Sequence, residues 1–110
     1  MKKTAVLSCF MMLASTADAQ VNLIGRYNSI SESGYLLQRC GALTKERLAW
    51  LKHVRSHAMR SLDWSEARAD EQEEILTREF DARYREVSKT KCAEIMRGVD
   101  QERATTKMAP

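Results

Sequence analysis

The chain has 110 residues, with 18 Lys and Arg against 15 Asp and Glu, 44% hydrophobic, 30% charged and 6% aromatic residues, four Gly and one Pro. That composition excludes collagen-like, proline-rich and low-complexity chains, and it is too apolar for a wholly disordered one. One domain is the most this length supports, and the scarcity of Gly, Pro and β-branched residues argues against a β-sandwich or barrel.

At the N-terminus, Lys2 and Lys3 precede an apolar run from Ala5 to Ala14, and Ala17-Asp18-Ala19 sets small residues before a cut at Gln20. This is the three-part pattern of a secretory signal, predicted over 1–19. Its apolar run is ~10 residues, against the ~20 that a permanent membrane helix needs, so no transmembrane segment is expected in the mature chain. A retained anchor is the rival. A lipoprotein cut before Cys9 is another, but it would strand Phe10 to Leu13 in the mature protein. The predicted address is the periplasm. Loss of Lys2, Lys3 and Asp18 lowers the net charge from +3 to +2, a balance that gives no argument for a nucleic-acid partner.

With Cys9 removed, Cys40 and Cys92 remain and allow a single intramolecular pairing. An oxidising compartment makes a structural disulfide the expected outcome. A redox or nucleophilic role would need a Cys-x-x-Cys pair or a nearby base; neither cysteine sits in such a motif, although Lys91 adjoins Cys92.

The first helix of the mature chain is expected from Val21 to Cys40, where Leu23, Tyr27, Ile30, Gly34 and Leu37 recur at spacings of four and three. Gly34 in that seam would admit a close backbone approach, and Gly41 is placed to end the helix. Thr44 offers an N-cap and Glu46 suits the first turn of a second helix over about 45–62, with Leu51, Ala58 and Leu62 on one face and Val54 and Leu48 on its flanks.

From Ser65 to about Arg97 there is no Pro or Gly, and Ile75, Leu76, Phe80, Tyr84, Val87, Cys92, Ile95 and Val99 keep a helical period. Glu74–Arg78, Glu79–Arg83 and Asp81–Arg85 are i,i+4 pairs on its wet side. The expected fold is therefore an all-α three-helix bundle over residues 20–100, with a broken or kinked third helix as a variant, one Cys40–Cys92 staple and a frayed polar tail over 101–110. Topology constrains the third helix. Counted from Ser65, Cys92 overshoots the level of Cys40 by more than two turns; counted from Asp70, by about one. A start near Asp70 is favoured, with Trp64–Ala69 as a loop.

Three residues stand out as a candidate surface. His53 and His57 are i,i+4 and could reach one metal ion, but no third ligand is evident nearby, so two exposed histidines are the plainer expectation and a site shared between molecules the alternative. Trp50 falls on the same side. Exposed there it would anchor a protein contact; turned inward it would cover the N-terminal helix. Residues 45–60 are basic and 66–81 acidic, so the two helices should attract each other, with recruitment of a basic partner as the functional rival. No phosphate loop, catalytic triad or cleft-forming carboxylate pair is evident, and no cofactor is called for.

The Leu-rich first helix ending in Cys40-Gly41, Trp50 ten residues on, Phe80-x-x-x-Tyr84-Arg85 and Cys92 resemble a family of small exported alphaproteobacterial proteins with two cysteines. That resemblance spans roughly 23–95 and implies an exported helical domain with one disulfide, and no established activity. Leu43-Thr44 and Leu76-Thr77 also resemble the paired Leu-Thr-x-x-Gln boxes of the Spy-type periplasmic stress chaperones, with Arg47 and Phe80 at the Gln positions. The sequence thus points to a non-catalytic periplasmic protein that binds an envelope protein or a second copy of itself. A metal-binding or stress-chaperone role is the alternative.

Overall fold

The computed structural model describes residues 2–106, with side chains described from Gln20 onward. The signal predicted over 1–19 lies outside the described side chains. The described residues form four helices and no strand: α1 (Lys2–Arg39), α2 (Lys45–Leu62), α3 (Glu66–Arg83) and α4 (Lys89–Thr105). The expected three-helix bundle is corrected to four, because the long third segment breaks between Tyr84 and Ser88 and reverses.

The order of cross-contacts gives the topology. Tyr27 reaches Glu73 while Arg39 reaches Tyr84, so α3 runs parallel to α1. Arg26 meets Glu102 while Cys40 meets Cys92, so α4 runs antiparallel to α1. Helix α1 packs against all three others, and α2 also packs against α4. The bundle therefore runs down, up, down, up around α1, and Cys40 and Cys92 fall at the same end with their Cα atoms 5.7 Å apart. The overshoot disappears without a late start: α3 begins at Glu66, capped by Ser65 Oγ accepting from the Arg68 N–H, and Trp64–Ala69 is not a loop. At 18 residues, α3 matches α2 in length, and α4 restarts just ahead of Cys92.

Local chemistry explains most boundaries. Gly41 adopts φ +66°, its N–H bonds the Gln38 carbonyl and that of Ala42 bonds Leu37, which closes α1 in a Schellman turn. Asp63 does the same for α2 at φ 56°, with bonds to Arg60 and from Trp64 to Met59. Thr44 and Ser88 cap α2 and α4 by accepting from the Arg47 and Lys91 N–H groups. The break at Tyr84–Ser88 has no Gly or Pro; Arg39 of α1 holds it, donating to the carbonyls of Tyr84 at 2.8 Å and Arg85 at 3.1 Å. Helix α4 continues through Gln101–Thr105, part of the stretch read as a polar tail.

The core joins Tyr27, Ile30 and Leu37 of α1 to Trp50, Leu51, Val54, Ala58 and Met59 of α2, Ala69, Leu76 and Phe80 of α3 and Val99 of α4. The α1 seam is the one the spacing predicts, with Leu36 buried beside it. At Gly34 a Cβ would meet only Leu51 Cδ1 at 3.7 Å, so ordinary packing and not a backbone approach occupies that position.

Candidate functional site

Trp50 takes the inward of the two settings that the sequence leaves open for it. It is 3% exposed, because α4, the helix not anticipated, packs over that side of α2. Its Nε1–H is buried with no acceptor among the described residues. His57 is exposed and His53 half-buried, so Trp50 does not share a surface with them. Among the described residues no three His, Cys, Asp or Glu side chains converge as a metal site would require.

The structure also opens on the opposite side of α2. Helices α2 and α3 leave a groove of about 530 Å³ between them, with α1 as its floor. Ile30 and Gly34 of α1, Leu43 before α2, Leu48 and Leu51 of α2 and Phe80 of α3 make its apolar surface. Leu48 remains 38% exposed there, at the mouth. Leu48, Lys52 and Arg55 follow one another at i, i+4 and i+7, which aligns them along one wall of α2.

A polar junction closes one end. Glu73 lies on the inner face of α3, in register with Ala69, Leu76 and Phe80, and its Oε1 accepts from Tyr27 Oη at 2.8 Å and Ser31 Oγ at 2.7 Å. Arg55 stands 3.6 Å from the same oxygen, with Glu66 and Asp70 at 3.7 and 3.9 Å, and its guanidinium lies over the Tyr27 ring. Burial, followed by the hydrogen bond to Glu73, pushes the Tyr27 phenol up to about 12. The α2–α3 charge attraction read from the sequence is thus concentrated on Arg55. Of the three expected i,i+4 pairs, Glu74–Arg78 forms at 3.0 Å, whereas Arg83 turns to Glu32 of α1 and Asp81 accepts from Tyr35.

Arg39 closes the other end. It donates to Tyr35 Oη at 2.8 Å as well as to the two loop carbonyls, and Tyr35 Oη in turn donates to Asp81 at 2.6 Å. That last bond raises the Tyr35 pKa. Behind the groove, Arg47 clamps α2 to α4 through both oxygens of Asp100, at 3.0 and 2.8 Å, and to the α1–α2 loop through the Ala42 carbonyl. The hydrogen bonds from Arg47 hold the Asp100 carboxyl below the usual range.

Lys52 makes no ion pair among the described residues. The groove therefore combines an apolar floor with a cationic wall and one carboxylate, Glu73, already engaged by two hydroxyls. Sequence reasoning did not single out Lys52, Arg55 or Glu73. Glu73 alone had a readable signal, a carboxylate set into the apolar register Ala69, Leu76, Phe80. In comparisons with known proteins, no family model, no curated protein and no solved structure matches the chain.

Proposed function

We propose that the chain works in the periplasm as a non-catalytic helical protein that binds another envelope protein, and that the groove between α1, α2 and α3 is its binding surface. Export is supported by the signal pattern over 1–19 and by a disulfide, which persists in oxidising compartments. The observation that carries the binding role is the groove: an apolar hollow of about 530 Å³ with exposed Leu48 at its mouth and, on its wall, Lys52, which makes no ion pair among the described residues. Grooves of this kind between helices take up apolar side chains from a partner. Trp50 and the two histidines are not part of this surface.

A photoreactive amino acid placed at Leu48, with His57 as control, tests the reading in intact cells. The Leu48 position should yield a discrete cross-linked species that the His57 position does not. Adducts from His57 alone would contradict it, as would none from Leu48.

A further inference from the structure

We propose that the groove's occupant is a short amphipathic helix whose apolar stripe is flanked by acidic residues. This rests on the binding role above and adds the chemistry of the partner.

The dimensions select the shape. The groove follows α1 from Ile30 to Arg39, about 14 Å at helical rise, which is two to three turns of a partner helix. Three apolar side chains at i, i+3 or i+4 and i+7 span that length and reach the floor at Gly34, which carries no side chain of its own.

Charge selects the flanks. Lys52 and Arg55 are one turn apart on the α2 wall, and Arg39 stands at the end of α1. Arg39 spends its hydrogen bonds on a phenol and two carbonyls, none of which neutralises it. Arg55 shares its charge with carboxylates at 3.6 to 3.9 Å, and Lys52 with none among the described residues. Glu73, the one carboxylate lining the groove, lies 3.6 Å from Arg55, so its charge is already offset within the wall. An acidic flank meets attraction at Lys52 first, and a basic flank meets repulsion.

The test uses two stapled helical peptides with the same Leu stripe, one flanked by Glu and one by Lys, titrated against the oxidised protein by fluorescence anisotropy at low salt. The Glu peptide should bind and weaken as salt rises, with the Lys peptide weaker by roughly tenfold. Lys52→Glu, at an exposed position, should reverse the order, and Gly34→Leu should block both while Gly34→Ala blocks neither. Equal binding of the two peptides, indifference to Lys52→Glu, or uptake of dodecanoate in place of either peptide would overturn the proposal. So would self-association through the groove in sedimentation. Loss of the peptide result with the Leu48 cross-link intact would refute only this partner chemistry. Peptide binding without the cross-link would instead refute the proposed role in the cell.

Discussion

Tyr27 shows most clearly how single side chains hold this domain together. It is fully buried, stacks edge-on against Trp64 with centroids 5.0 Å apart, and spends its hydroxyl on Glu73. Its phenol is pushed up to about 12 from 10.0, so the neutral form's contribution is complete below about pH 10 and is lost as pH rises through the folded-state value. Spectrophotometric titration should therefore show one of the three tyrosines ionising near 12, together with unfolding. Tyr27→Phe should cost about 1–2 kcal/mol at pH 7 by denaturant unfolding and remove that step. Glu73 was readable from its place in the α3 register. The distant partners of Arg39, Arg47 and Arg55 (the Tyr84 and Arg85 carbonyls, Asp100, and Glu66, Asp70 and Glu73) were not, since no local spacing announces them.

Among the elements, α1 was the most legible, because its seam of Tyr27, Ile30 and Leu37 is periodic and its end is written by Gly41. Thr44, Ser65 and Ser88 all act as N-caps, as their hydroxyls allow. The sequence admits a broken third helix only as a variant and does not place the break, because tertiary bonds from Arg39, 45 residues away from Tyr84, hold it. The same break decides between the two settings open to Trp50, whose outer side is covered once α4 exists. The groove was hidden as well, since Lys52 and Arg55 read as a solvated helix face, and Leu48 as the flank of the apolar one, until α3 is set opposite them. Gly34 offers a test of the packing account. With room for a methyl group beside Leu51, Gly34→Ala should stabilise the protein by about 0.5–1 kcal/mol in thermal unfolding, through helix propensity. Destabilisation would mean that α1 and α2 approach more closely than this packing allows.

Across the whole molecule, α1 is the post around which the other three helices are arranged, and the staple ties its end to the last of them. The Cys40–Cys92 link closes a separation of 52 residues, which in the chain-entropy account stabilises the fold by about 4 kcal/mol. For a domain of this size that is a large share of its net stability. A double Cys40→Ser/Cys92→Ser variant should keep its helical circular dichroism while its Tm falls by about 20 °C. Neither cysteine lines the groove, although Arg39 and Leu43 beside Cys40 do, so with the helices intact that variant should retain peptide binding at low temperature.

Intact-mass spectrometry of the protein taken from its native compartment, alkylated before any reduction, tests the central claim most directly. The account predicts a chain beginning at Gln20, two hydrogens short of its reduced mass and free of alkyl groups on Cys40 and Cys92. A chain that retains Met1–Ala19 or carries alkyl groups on both cysteines would contradict it.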